Sequence, residues 1–294
     1  MISQLLGSFL AKKELISAQN LENVLEKQKK NRVKLGLIAV SEKMLSEEDA
    51  KKINRLQSAL DKRFGDIAVE KGYLTKDQVD RLLGLQGNQY LSFCQALVDE
   101  ELLTFEQVEE ALEDYRVEMG FTRSDIEKLK GGDVDDIVPL FIPSSVSRHQ
   151  TAYVLVCVRT LLRLIDSSIY IDKAYITDHL DTDFYALQSI DGDAQGTIAF
   201  IAKGKAILPV AETFGEEEFG DVDVYALDAV AEFINCVNGM FASDFQSEFE
   251  IDMLPPDYKV EKATLTGRLL VLPVYVKGER FDIISSFGEF INVN

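Results

Sequence analysis

The chain has 294 residues, 46% of them hydrophobic, so it is long and apolar enough to form packed cores in two domains. Its net charge of −19 disfavours nucleic acid and anionic membranes as main partners, because no basic stripe is available to neutralise phosphates. No stretch approaches the roughly 18 apolar residues of a membrane span, and we therefore expect a cytoplasmic protein that acts on a protein partner.

Side chains that commonly bind metals or form covalent intermediates are sparse. The two histidines, His149 and His179, have no partner at metal-ligand spacing, and the three cysteines lack a CxxC arrangement. The chain also contains neither a Walker A loop nor a glycine-rich dinucleotide turn. We therefore expect no metal site, no disulfide framework and no cofactor bound by this chain.

The first third of the chain contains four segments that recur with a period of 29 residues. A hydroxyl residue lies eleven positions before the end of each segment, and a small residue lies ten positions further upstream. The hydroxyl residues are Ser17, Ser46, Thr75 and Thr104, the small residues are Gly7, Gly36, Gly65 and Cys94, and the last residues are Gln28, Gln57, Gln86 and Tyr115.

Each segment is predicted to form two short helices. In the third copy, residues 63–69 begin an apolar helix that stops at Gly72, a suitable C-cap. Thr75 then caps a second helix, with Gln78 in the capping-box position. One helix pair of this size cannot bury its apolar stripe, so the copies must pack on one another or on a partner. We expect an all-α domain of helix-pair repeats over residues 1–116.

The repeats resemble the N-terminal GspE-N/MshEN domain of type II secretion and type IV pilus ATPases, whose motifs begin with Arg-Leu-Gly and end with Gln. That family can bind cyclic di-GMP, so the resemblance implies a nucleotide site. The residues that match the motif are Lys34, Leu35, Gly36, Gln57, Arg63, Gly65 and Gln86. Three positions depart from the motif. Phe64 stands in place of the Leu, Lys34 stands in place of the Arg, and Lys43 stands in place of a Gly in the middle of the motif.

A second interpretation of the same residues is structural. Glycine and glutamine would then serve helix packing and turns in a module that docks on another protein, such as a secretion or pilus ATPase. A lysine keeps the charge of arginine but not its bidentate geometry, which weakens the nucleotide interpretation at Lys34. We favour the protein-docking interpretation.

Residues 117–142 differ in character and are predicted to connect two domains. Thr122 or Ser124 can cap a helix that ends at the pair Gly131 and Gly132. This capped, charged sequence predicts a semi-ordered junction rather than a flexible tether.

Residues 143–294 are predicted to form a second domain that combines helices with a sheet. Hydrophobic periodicity and turn residues predict these elements in chain order. They are a helix over 151–165, a hairpin of strands 184–190 and 196–202, a helix over 205–214, the amphipathic helix described next, and a hairpin of strands 268–276 and 281–287.

The stretch 228–239 is predicted to be an amphipathic helix whose polar face carries a candidate site. At about 100° per residue, its polar side chains fall within one narrow arc, opposite an apolar face. These residues are Asp228, Glu232, Asn235 and Gly239. An amide is no general base, but it can hold a water beside a reactive phosphoryl group, and the carboxylate can bind a lysine of a partner.

The spacing Asp-x-x-x-Glu-x-x-Asn-x-x-x-Gly resembles the signature helix of the CheC/CheX/FliY family of chemotaxis phosphatases, and of its single-site CheX branch in particular. The order of predicted elements over about residues 143–290 is also that of CheX. The resemblance implies an α+β fold, in which the all-α helix-pair repeats precede a CheX-like α/β sandwich.

The resemblance also implies an activity, hydrolysis of the aspartyl phosphate of a CheY-like response-regulator receiver domain. Glu232 would pair with a lysine of the receiver, Asn235 would place the attacking water, and the receiver would supply Mg²⁺. Asp228 is assigned to the start of the helix, where a carboxylate complements the dipole, and Gly239 to close packing. We expect a homodimer, because CheX proteins pair through their sheets.

A non-catalytic signalling adaptor is the alternative. In that case the CheX-like domain would bind a partner without accelerating its dephosphorylation. The repeat domain would then report cyclic di-GMP or dock on an ATPase. The sequence alone leaves both functions open.

Overall fold

The computed structural model describes residues 1–30 and 32–294, without the side chain of Ser58. The chain forms two compact units, an N-terminal unit, Ile2–Asp133, and a C-terminal unit, Val134–Asn294. The fold is α+β, as predicted, because helices make up the first unit and the second contains an antiparallel sheet. The predicted connector, residues 117–142, is divided between the two units.

The helices of the N-terminal unit follow the repeats. They are α1 (Ile2–Lys12), α2 (Ala18–Gln28), α3 (Leu35–Ser41), α4 (Glu47–Leu60), α5 (Phe64–Glu70), α6 (Lys76–Gly84), α7 (Gln89–Asp99), α8 (Phe105–Met119) and α9 (Arg123–Gly131). Each of the four copies thus contributes one helix pair, as predicted, and α9 is added after the last copy.

The start of the second helix in every copy is set by the recurring hydroxyl residue. Its side-chain oxygen accepts a hydrogen bond from the backbone N–H three residues later, which satisfies a donor that the helix itself leaves unpaired. Capping boxes form at Thr75 with Gln78 and at Thr104 with Gln107. The turn before each cap also recurs, with positive φ at Glu14, Lys43, Gly72 and Glu101.

The recurring small residues allow neighbouring helices to approach closely. A Cβ added to Gly7 would lie 2.4 Å from Leu21 Cδ1, and one added to Gly65 would lie 2.8 Å from Val79 Cγ1. At Gly36 the nearest atom would be Phe64 Cε2, at 3.1 Å. Real Cβ atoms do not pack at the two shorter distances, so a larger residue would require the facing side chain or its helix to shift.

Replacing Gly65 with alanine should therefore destabilise the N-terminal unit by about 1–2 kcal/mol, because Val79 is stiff about χ1 and must move. Gly84 at the end of α6 provides a matched control, since nothing lies within 4 Å of its added Cβ. Gly84→Ala should leave stability unchanged or raise it by up to about 1 kcal/mol. Urea unfolding followed by far-UV circular dichroism measures both variants, and equal effects would contradict the packing role of Gly65.

The helices of the C-terminal unit are α10 (Val134–Ile137), a 3-10 turn (Val138–Phe141), α11 (Arg148–Leu164), α12 (Leu208–Gly215) and α13 (Val224–Asp244). Its strands are β1 (Tyr170–Ile171), β2 (Tyr175–Thr182), β3 (Tyr185–Gly192), β4 (Gly196–Ala202), β5 (Ile251–Met253), β6 (Asp257–Lys259), β7 (Ala263–Val276), β8 (Glu279–Phe287) and β9 (Asn292–Val293). The two predicted hairpins are β3–β4 and β7–β8.

These strands form one antiparallel sheet in the order β1-β7-β8-β4-β3-β5. The long strand β7 pairs with β2 and β9 in its first part and with β8 and β1 in its second. Strand β3 pairs with both β5 and β6. Helix α13 packs on β3 and on α12, and α11 packs on α13 and β8. This arrangement places the outer face of α13 beside the edge formed by β5 and β6.

Aromatic side chains fill the layer between helices and sheet. The Phe200 ring lies 5.8 Å from that of Phe233 on α13 and 5.1 Å from that of Phe281 on β8. The Tyr153 ring on α11 lies 4.6 Å from Phe241. All five side chains are fully buried, so α13 is held in a fixed orientation on the sheet. None of the helices in the described residues has the length and hydropathy needed to span a bilayer.

Candidate active site

Helix α13 presents a polar face to solvent, as its periodicity predicted. The helix runs from Val224 to Asp244, and Ala226, Leu227, Val230, Phe233, Ile234 and Val237 are among its buried residues. Glu232 is exposed and Asn235 is half-buried. Asn235 Nδ2 points toward Glu232 Oε2 at 3.5 Å, the outer limit of a hydrogen bond. A carboxylate and an amide thus lie side by side on the accessible surface.

The prediction that Asp228 starts this helix is wrong. Asp223 is the N-cap, and its carboxylate accepts hydrogen bonds from the N–H groups of Tyr225 and Ala226 at 3.1 and 2.9 Å. Asp228 lies in the following turn, where it accepts a hydrogen bond from the Tyr258 hydroxyl at 2.6 Å. This bond and the negative charges of Asp228 and Glu232 raise the pKa of Tyr258. Asp228 therefore ties β6 to the site helix.

The close packing expected at Gly239 is also absent. The nearest heavy atom to an added Cβ would be Met253 Sδ at 4.0 Å, an ordinary van der Waals separation. Gly239 is half-buried and lies on the same arc as Asn235. A small residue at this position keeps the end of the polar face flat but is not required by a helix contact within the described residues.

A buried polar network that the sequence analysis missed lies directly beneath Asn235. Gln188 on β3 is only 2% exposed, and its Nε2 donates to Asn235 Oδ1 at 2.9 Å and to the Leu254 carbonyl at 2.8 Å. Its Oε1 accepts a hydrogen bond from Asn238 Nδ2 at 2.9 Å. Asn238 Oδ1 in turn accepts one from the Tyr153 hydroxyl at 2.5 Å.

Asn238 lies three residues after Asn235 on α13 but is fully buried. A carboxamide on the inner side of a helix needs partners, because an unsatisfied buried polar group is costly. Gln188 likewise shares one face of β3 with the buried apolar residues Ala186 and Ile190. These two polar residues in apolar patterns were the signal available in the sequence, although their pairing depends on how β3 meets α13.

Apolar side chains surround the polar pair on the exposed surface. Val224 and Tyr225, in the first turn of α13, are 52% and 73% exposed, and Met253 and Leu254 are 47% and 36% exposed. A polar centre flanked by exposed apolar and aromatic side chains is typical of a surface that contacts another protein. The carboxylates of Asp228 and Glu232 make it attractive to a cationic group.

Five of the candidate nucleotide residues of the N-terminal unit line two separate depressions. Leu35, Arg63 and Gly65 line a depression of about 450 Å³, whereas Lys34 and Gly36 line another of about 650 Å³. The Lys34 ammonium forms an ion pair with Asp99 at 2.7 Å.

The closing glutamines of the repeats bond to the protein itself. Gln86 Nε2 donates to the Val33 carbonyl at 2.8 Å, and Gln57 Nε2 approaches the Lys62 carbonyl at 3.5 Å. Val33 and Lys62 are 29 residues apart, and each lies directly before the first residue of a copy, Lys34 or Arg63. Such contacts favour the structural interpretation, and the cyclic di-GMP site stays a prediction.

Comparison with known proteins concerns the C-terminal part of the chain. Residues 184–266 match the family model described as chemotaxis phosphatase CheX, and this segment contains α13 and Gln188. No curated protein matches the sequence. The resemblance to CheX inferred from the signature helix is thus confirmed for this segment, whereas the resemblance of the repeats to the GspE-N/MshEN domain stays a prediction.

Solved structures that are similar to this chain include chemotaxis proteins. A CheX from Desulfovibrio desulfuricans has 15% identity and a TM-score of 0.41, covering 48% of this chain and 99% of its own. A CheC-like superfamily protein from Shewanella sp. PV-4 has 16% identity and a TM-score of 0.42, covering 49% and 100%. A chain of the CheX–CheY–BeF3–Mg complex from Borrelia burgdorferi has 17% identity and a TM-score of 0.39, covering 47% and 96%.

Proposed function

We propose that the C-terminal unit is a phosphatase that hydrolyses the aspartyl phosphate of a response-regulator receiver domain of the CheY type. The observation that carries this proposal is the adjacent Glu232 and Asn235 on the exposed face of α13. Their helix lies inside the segment that matches the chemotaxis phosphatase family model.

The reaction requires positioning more than covalent participation of the enzyme. Water attacks the phosphorus, and the bond from phosphorus to the aspartyl oxygen breaks. The leaving group is a carboxylate whose conjugate acid has a pKa of about 4, so it departs without a general acid. Phosphoryl transfer is accelerated by alignment and charge stabilisation. A two-residue contribution from this chain is therefore chemically sufficient.

Each member of the pair has a separate task in this proposal. The Glu232 carboxylate binds a lysine of the receiver and fixes the orientation of the receiver on this chain. The Asn235 amide holds the attacking water in line with the phosphorus. Mg²⁺ belongs to the phosphorylated receiver, which is the substrate, and the exposed apolar residues around the pair provide the contact surface.

A homodimer paired through the sheet remains part of the proposal. Among the described strands, β2 has β7 as its neighbour on one side, and Tyr175 and Ile176 on β2 are 42% and 38% exposed. An unpaired strand edge of this kind is suited to pairing with a second chain. Sedimentation equilibrium of the wild type and an Ile176→Lys variant measures whether a dimer forms there.

The activity is tested by mixing the full chain with a panel of phosphorylated receiver domains and measuring phosphate release. Accelerated release from at least one receiver supports the phosphatase. Binding without acceleration supports the alternative, a signalling adaptor. A receiver whose phosphorylated aspartate has been replaced by alanine controls for phosphate that is released from the phosphoryl donor rather than from the receiver.

Glu232→Ala should raise the KM for the phosphorylated receiver by about three- to tenfold, which corresponds to an exposed ion pair of about 1 kcal/mol. High salt should raise the KM of the wild type in the same direction, because it screens that pair. Glu26→Ala on α2 removes the same charge from an exposed site in the N-terminal unit and should leave KM unchanged. An unchanged KM in Glu232→Ala would remove the proposed lysine contact.

A further inference from the structure

The buried amide of Gln188 determines which end of the Asn235 amide faces the partner. A backbone carbonyl accepts hydrogen bonds and never donates them. The Leu254 carbonyl, 2.8 Å from the Gln188 side chain, therefore requires Nε2 of Gln188 on its side. The same Nε2 faces Asn235, so it must meet the amide oxygen of Asn235, at 2.9 Å. The Nδ2 group of Asn235 is consequently turned toward Glu232 and solvent.

The opposite end of Gln188 is fixed in the same sense. Its Oε1 accepts a hydrogen bond from Asn238 Nδ2, and Asn238 Oδ1 accepts one from the Tyr153 hydroxyl. Asn238 and Tyr153 are fully buried, so water does not compete for these groups. No buried side-chain nitrogen or oxygen in the described residues lacks a hydrogen-bond partner. If the Gln188 amide were flipped, its Nε2 would face Asn238 Nδ2, so that two donors would meet. Its Oε1 would face the Leu254 carbonyl, so that two acceptors would meet.

We propose that Gln188 is a positioning residue, which holds Asn235 so that its N–H donors, rather than its oxygen, meet the reacting groups. This inference rests on the proposed phosphatase function. An Asn235 N–H donates to one lone pair of the attacking water, and the other lone pair of that water attacks the phosphorus. The bond to the aspartyl oxygen breaks, the aspartate leaves as a carboxylate, and both water hydrogens end on dihydrogen phosphate.

The test is Gln188→Glu, which keeps the size of the side chain but replaces its donors with acceptors. The Asn235 amide should then turn its Nδ2 inward to the new carboxylate and present its oxygen to the water. We expect kcat for receiver dephosphorylation to fall by about 10- to 100-fold. KM should stay unchanged, because residue 188 is buried and cannot touch the receiver. Gln107→Glu on α8 is the matched control, since glutamate preserves that capping box and adds the same charge.

A second measurement is made on the wild type and does not depend on activity. In the wild type, NMR should show slow solvent exchange for the side-chain amide hydrogens of Gln188 and fast exchange for those of Asn235. The Asn235 signals are assigned by their loss in Asn235→Ala. Protected Asn235 hydrogens together with freely exchanging Gln188 hydrogens would overturn the assigned orientation.

The outcomes separate this inference from the proposed function. If the wild type releases no phosphate from any phosphorylated receiver, the phosphatase function fails and with it the catalytic role of Gln188, whatever the NMR shows. If the wild type is active and a folded Gln188→Glu variant keeps its kcat, the positioning role alone is overturned. A loss of kcat in both Gln188→Glu and Gln188→Met, with unchanged KM and unchanged circular dichroism, supports it.

Discussion

Asn235→Ala should lower the rate of phosphate release from a phosphorylated receiver by at least about 100-fold. The substitution removes the group that aligns the water, and nothing else on the outer face of α13 offers an amide at that position. The free energy of unfolding should fall by about 1–3 kcal/mol, because one N–H donor of the buried Gln188 loses its partner. Stopped-flow dephosphorylation measures the rate, and thermal unfolding measures the stability.

Two further variants test whether the loss of rate comes from the missing N–H donor of Asn235. Asn54→Ala removes an exposed asparagine from α4 in the N-terminal unit and should leave the rate unchanged. Asn235→Asp keeps the shape of the side chain and can still accept the hydrogen bond from Gln188, but it has no N–H donor. This variant should be as slow as Asn235→Ala. Full activity in Asn235→Ala would exclude the mechanism.

Local signals in the sequence were sufficient for the helices that matter most. The hydroxyl caps and small residues that recur every 29 residues marked each helix pair, because capping and close packing act over a few residues. The face of α13 that carries Glu232 and Asn235 followed from its period in the same way. Asp228 was misplaced because another carboxylate, Asp223, lies just upstream and satisfies the first N–H groups.

The sequence did not predict the features that depend on contacts between distant segments. Strand β2 is largely exposed, and its apolar residues, Tyr175, Ile176 and Leu180, do not alternate regularly with polar ones. It therefore lacks the pattern that marks a strand in the sequence, and only its pairing with β7 defines it. The hydrogen bond between Gln188 and Asn235 joins residues 47 positions apart. Its formation depends on how α13 lies across β3, which no local pattern encodes.

The second large effect concerns the N-terminal unit. Phe93→Ala should destabilise this unit by about 3–5 kcal/mol, the usual cost of deleting a fully buried phenylalanine side chain. Phe93 is completely buried on α7, and α7 packs on α1, α2, α3, α8 and α9. The ring also lies 3.4 Å from where a Cβ on Gly7 would be, so it fills the space that this glycine opens.

Because each unit has its own buried core, the two should respond differently to this substitution. Calorimetry should show the transition of the N-terminal unit lowered by at least about 10 °C, with the other transition in place. Leu83→Ala, which truncates a side chain that is 42% exposed on α6, should shift neither transition appreciably.

Receiver dephosphorylation by Phe93→Ala should persist at a temperature between the two transitions, because Glu232, Asn235 and Gln188 all lie in the C-terminal unit. A single transition that moves as a whole, or activity lost together with the first transition, would show that the repeats are required to hold the site in its active form.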